Sequence, residues 1–116
     1  MDDMETRAGR VIFDKQGCAA MLRKQPQLEE YIVRTVMTQL DHGLFKSKFA
    51  TPSRFEGNTV RECRVNAGTF GPVRVAFVMQ GETATVIYIS RTLQKRAFTA
   101  ELDRFLARRS SRSSCP

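Results

Sequence analysis

The sequence predicts an α+β domain with element order β-α-α-β-β-β-α, an antiparallel sheet with helices packed on one face. Three observations carry that reading. Thr59–Val65, Val73–Met79 and Thr83–Ser90 are consecutive β-like runs joined by short, turn-rich links, which makes an antiparallel meander. Leu28, Ile32, Val36 and Leu40 recur every four residues, the apolar stripe of one helix. Phe98, Leu102, Phe105 and Leu106 fall at i, i+4, i+7 and i+8, the stripe of another.

The elements follow in order. Arg10–Phe13 (RVIF) reads as a short first strand. Asp14 offers a helix cap, and Lys15–Lys24 reads as a short helix despite Gly17. Pro26 suits the start of the next helix, where Glu29 and Glu30 complement the dipole and Gly43 marks the stop. Leu44–Asn58 has no clear period and contains Pro52 and Gly57, so a surface connection is expected. In the first meander strand Cys63 and Val65 share one face, and Val60, Glu62 and Arg64 share the other. In the second, Val73, Val75, Phe77 and Met79 oppose Arg74, Ala76 and Val78. The helices are expected to bury Val73, Val75 and Phe77, leaving the Arg74 face partly open. One domain over residues 1–109 is expected, with residues 110–116 as a disordered tail without apolar content.

Composition narrows the function classes. A length of 116 residues suits a single modest core. No apolar run approaches the roughly 18 residues of a membrane span. Asp2, Asp3 and Glu5 give the N-terminus the wrong charge for a secretory or transit peptide, so a cytoplasmic protein is expected. Cys18, Cys63 and Cys115 lack metal-ligand spacing and His42 is the single histidine, so neither a metal nor a cofactor is expected. Cys18 and Cys63 are expected as small buried apolar residues, and Cys115 as exposed.

The net charge of +7 is unevenly placed. Residues 1–43 hold six Lys/Arg against seven Asp/Glu, while residues 44–116 hold thirteen against five. The excess lies in the sheet and the C-terminal region, a distribution that draws in polyanions. Arg61, Arg64 and Arg74 sit inside strands, and Arg91, Lys95 and Arg96 follow the last one. Guanidinium forks match phosphate oxygens, so this clustering points to a phosphate-holding surface.

Glu62–Cys63–Arg64, Gly71–Pro72–Val73–Arg74–Val75 and Arg91–Thr92–Leu93–Gln94–Lys95 occur in that order after a helix hairpin. Over roughly residues 10–107 this pattern resembles the RelE/ParE toxin superfamily, nearest its RelE and HigB-like ribonuclease members. The strands match family motifs written E-L-R and G-x-x-R-V, and the link is similar to a K-K-x-Q-K segment. The resemblance implies the toxin of a bacterial type II toxin–antitoxin pair that cuts mRNA, usually on the ribosome. It also implies a cognate antitoxin as partner, with the toxin alone a monomer and a hetero-oligomer formed on inhibition. Several family members carry a tyrosine or histidine near the C-terminus, where this chain offers Phe98.

RNA cleavage of that type needs no metal. The ribose 2′-hydroxyl attacks the adjacent phosphorus, and the protein must take a proton, stabilise the pentavalent anion and protonate the leaving 5′-oxygen. By this reading Arg74 leads as phosphate stabiliser, with Arg64 beside it, and Arg61 points the other way by alternation. Glu62 either accepts the 2′-hydroxyl proton or serves as counter-ion to Arg64 or Arg74. Lys95 stands where the family places late catalytic or phosphate-binding residues. Arg96, Arg91, Lys46, Lys48 and Arg54 are the expected RNA-backbone contacts. Two other readings share the fold: a ParE-like gyrase inhibitor, and a non-enzymatic module binding nucleic acid or protein.

Overall fold

The computed structural model describes residues 10–43 and 48–113, with side chains through Arg109. The strands are β1 (Arg10–Phe13), β2 (Lys48–Phe55), β3 (Asn58–Asn66), β4 (Pro72–Gln80) and β5 (Thr83–Ser90). The helices are α1 (Lys15–Lys24), α2 (Leu28–Asp41) and α3 (Lys95–Ser113). They form an α+β fold around one sheet of order β1-β5-β4-β3-β2. β2 through β5 are antiparallel neighbours, and β1 lies parallel to β5.

The expected helices and meander are all present, but the expected surface connection and the one-sided helix layer are corrected. Residues 48–55, read as a surface connection, form strand β2. Its signal is weak because KFATPSRF does not alternate, and its pairing with β3 shifts twice, on either side of Thr51. Pro52 is tolerated because β2 is an edge strand. Glu56 and Gly57 both have positive φ, 50° and 83°, as a tight hairpin turn demands.

The helices also do not share one face. α1 and α2 cover one side, where Cys18, Leu28, Ile32 and Val36 pack on Cys63, Val65, Val73, Val75, Phe77 and Val86. α3 covers the other, placing Phe98, Leu102, Phe105 and Leu106 on Val60, Ala76, Val78 and Ile87. The physical reason lies in β4, where Ala76 and Val78 flank Arg74 on the second face and are fully buried. A sheet apolar on both sides needs a layer on each. The Arg74 face is therefore roofed by α3 rather than open along its length.

β1 ends at Phe13, and α1 then runs beside the remaining edge of β5. A Cβ on Gly17 would stand 1.7 Å from the Ile87 carbonyl oxygen, so glycine is what permits this approach. Ile87 is the extra residue where the β4–β5 register shifts. Asp14 makes no side-chain cap. Its carboxylate accepts a hydrogen bond from Arg109 Nη1 at 3.2 Å, while Arg109 Nη2 reaches Glu56 at 3.1 Å and the guanidinium lies 4.5 Å over Phe55.

α3 continues to Ser113, across part of the segment expected as a tail, and residues 114–116, with Cys115, lie outside the described residues. No helix among the described residues is long and apolar enough to cross a membrane.

Candidate functional site

The site forms where β3, β4 and the start of α3 meet. Register places Arg64 opposite Arg74 and Arg74 opposite Ser90, all on the face toward α3. Glu62 stands two residues before Arg64 on that face and opposite Lys48 of β2. Its side chain is completely buried. Arg74 Nη1 donates to Glu62 Oε1 at 2.9 Å, and Lys95 Nζ donates to Glu62 Oε2. The Arg74 fork also clasps the Leu93 carbonyl, through Nε at 3.0 Å and Nη2 at 2.7 Å. Lys95 Nζ reaches the Phe49 carbonyl at 3.0 Å.

A carboxylate taken out of water needs both oxygens engaged, and here two cations from different elements engage them. The cluster of Glu62, Arg74 and Lys95 therefore carries one net positive charge. Its two cations are unequally covered: the Arg74 side chain is 18% exposed and that of Lys95 51%. Of the two roles open to Glu62, the geometry supports the counter-ion, and its partners are Arg74 and Lys95 rather than Arg64.

The other expected residues divide by position. Arg64 and Lys48 are exposed and adjoin the cluster by register. Arg96 is exposed next to Lys95. Arg91 lies 4.5 Å over the Phe70 ring, on the turn joining β3 and β4, at the same end of the sheet. Arg54 sits at the opposite end of the β2–β3 hairpin, donating to the Gly57 carbonyl at 3.2 Å. Lys46 lies outside the described residues. Arg61 pairs with Phe77 and so faces the α1–α2 side, as alternation requires.

A second carboxylate was not among the sequence candidates. Glu101 of α3 accepts from Tyr88 Oη at 3.1 Å and Ser90 Oγ at 2.8 Å on one oxygen, and from Thr92 Oγ1 on the other. Partial burial pushes its pKa up, but the three hydroxyl bonds outweigh this and hold it below the ordinary carboxylate value. Burial, aided by Glu101, pushes the Tyr88 phenol up. The only sequence hint is Tyr88 and Ser90 at alternate positions, which share a strand face, with Thr92 two residues further on in the link.

Cys63 lies beneath this site, where burial pushes its thiol up to about 12, against the lowering influence of Arg74. That makes it an inert packing residue, as does the same value at Cys18.

A groove of about 510 Å³ runs between β2 and the first turns of α3, lined in part by Phe49, Arg54, Thr59, Lys95 and Thr99. A second hollow of about 570 Å³ shares Lys95 and Thr99 and adds Arg96, Ala100 and Asp103. No protein-family model, curated protein or solved structure matches the chain.

Proposed function

We propose that this chain is the toxin of a bacterial toxin–antitoxin pair with the RelE-like order, and that it cuts mRNA as an endoribonuclease. The observation that carries this reading is that Arg74 and Lys95, from two elements, meet on one buried carboxylate, with Arg64 exposed beside them by register. Glu62 and the Leu93 carbonyl fix the Arg74 fork before any ligand arrives. Such preorganisation is what electrostatic stabilisation of a pentavalent phosphorane requires. Arg64, exposed beside it, supplies a second guanidinium. An ammonium has three donors, and Lys95 uses two of them on Glu62 and Phe49. In the proposed reaction the 2′-oxygen bonds to phosphorus and its proton passes to water. The 5′-oxygen leaves with a proton from Lys95, which water then restores. A 2′,3′-cyclic phosphate and a 5′-hydroxyl result.

The test is induction in a bacterium, followed by growth measurement and primer extension on abundant transcripts. Growth arrest with discrete cuts, both relieved by Arg64→Ala at equal abundance, is the expected result. Arg64 is a cleaner probe than Arg74, because removing Arg74 also strips a buried carboxylate of a partner. Arrest with gyrase-linked DNA breaks and intact mRNA would replace this reading with gyrase inhibition.

One observation favours a second reading, a non-enzymatic RNA-binding module. Both Glu62 oxygens are already occupied, so this carboxylate is not free to serve as a base. Salt-sensitive, Arg64-dependent RNA binding without cleavage or toxicity is its signature.

A further inference from the structure

Glu101 is the second carboxylate on the α3 side of the sheet, and the proposed chemistry gives it no part. Its place in the sequence of contacts sets it apart. Thr92 lies in the four-residue link between β5 and α3. It is held twice: its hydroxyl donates to Glu101 Oε2, and its backbone N–H donates to Ser90 Oγ at 3.0 Å. Ser90 in turn donates to Glu101 Oε1 at 2.8 Å. The next residue is Leu93, whose carbonyl accepts from the Arg74 fork at 3.0 and 2.7 Å. Glu101 and Arg74 are thus joined through one short piece of backbone.

An arginine has five N–H donors. Leu93 takes two from Arg74 and Glu62 takes one, which leaves two for a phosphate. Without the Leu93 carbonyl the guanidinium would hang on Glu62 by a single N–H···O bond and could turn about it. The Phe98 ring, 6.0 Å from Cζ, supports the group without fixing the direction of its donors. Fastening α3 to the sheet does not by itself call for a carboxylate. Phe98 and Leu102 already do so by apolar packing, and a carboxylate brought out of water must have its bonds supplied. Yet Tyr88, Ser90, Thr92 and Glu101 meet at the link whose carbonyl receives Arg74. We infer that Glu101 is a positioning residue for Arg74: through Thr92 it fixes the Leu93 carbonyl, and that carbonyl sets the direction of the fork's two remaining donors. The inference rests on the RNA-cleaving reading above and adds a residue that acts from outside the cluster of Glu62, Arg74 and Lys95.

The test combines two readouts on the full chain: cleavage of an end-labelled mRNA on purified bacterial ribosomes, and the NMR signal of the Arg74 Nε–H. A guanidinium bonded to a carbonyl through Nε exchanges that hydrogen slowly with water. Thr92→Val removes the hydroxyl at nearly constant volume. It lowers kcat by about 10- to 100-fold with KM within about 2-fold, and it speeds exchange of the Arg74 Nε–H. Thr92→Ser keeps the hydroxyl and restores both. Glu101→Ala acts in the same direction, and adding Thr92→Val to it lowers kcat no further, because the two act through one path. Ile32→Val, in the core under α1 and α2, reports what a general loss of stability does and leaves kcat and the Arg74 signal unchanged. Wild-type cleavage in Thr92→Val, an equal loss in Thr92→Ser, or an Arg74 signal indifferent to Thr92→Val overturns the inference while the cleaving reading stands. Ribosome-bound mRNA left intact by the wild-type chain overturns that reading, and the inference with it.

Discussion

Glu62 and Glu101 lie on the same side of the sheet, under or on α3, and are solved in opposite ways. Glu62 comes from the sheet and is neutralised by two cations. Glu101 comes from the helix and is met by three hydroxyls, which disperse its charge without cancelling it. The first arrangement leaves a surplus of positive charge beside an exposed rim, suited to an incoming anion. The second leaves its negative charge in place and spends its bonds on shape. Through Thr92 it ties down the link after β5, and the next residue, Leu93, presents its carbonyl to Arg74. One carboxylate therefore holds the guanidinium directly, and the other holds the backbone against which it rests.

Unequal losses should separate the two. Arg74→Ala leaves a buried carboxylate with only a half-exposed partner, and a stability loss of about 3–5 kcal/mol is expected in urea unfolding. Glu101→Gln removes the charge from three hydrogen bonds and is expected to lose about 2 kcal/mol. The pH dependence sharpens this further. The folded Glu101 carboxyl titrates below its unfolded value, ordinarily 4.5. Its contribution is therefore present above that pH and is lost as pH falls through the folded value. Urea midpoints of wild type and Glu101→Gln should converge on acidification and diverge toward neutrality. Lys95→Ala is expected to cost about 1 kcal/mol, since half of that side chain is already in water. Arg64→Ala should change stability by no more than about 0.5 kcal/mol while weakening RNA binding. A larger stability loss there would mean that Arg64 belongs to the packing rather than to the surface.

The sequence was most readable where one physical demand set each residue. The stripe of Leu28, Ile32 and Val36 is fully buried, and the alternation in β4 sorts Val73, Val75 and Phe77 from Arg74, Ala76 and Val78 as expected. β2 was hidden because an irregular edge strand has no period to read. The two-sided cover is hidden because one arginine in β4 marks its face as polar, although Ala76 and Val78 on that face are apolar and buried. At the site, the strand cations were legible as a set, but their partners were not. Periodicity places Glu62 and Arg74 on one face, yet Lys95 is 33 residues from Glu62 and arrives only through the packing of α3. Glu101 was missed for the same reason, since a carboxylate on an otherwise polar helix face gives no sign of three hydroxyls waiting across the interface.

Arg109 touches the corner after β1 and the turn before β3, which belong to the two opposite edges of the sheet. A single late side chain thus acts as a latch between regions synthesised 95 and 53 residues earlier. During translation the earlier segments can pair, but the closing contacts must wait for the residues around position 109 to emerge. A nascent chain stalled short of that point would carry its strands without the clasp that joins their margins. For a protein with a cationic surface made inside a cell full of RNA, that late closure would leave an interval before the finished surface exists.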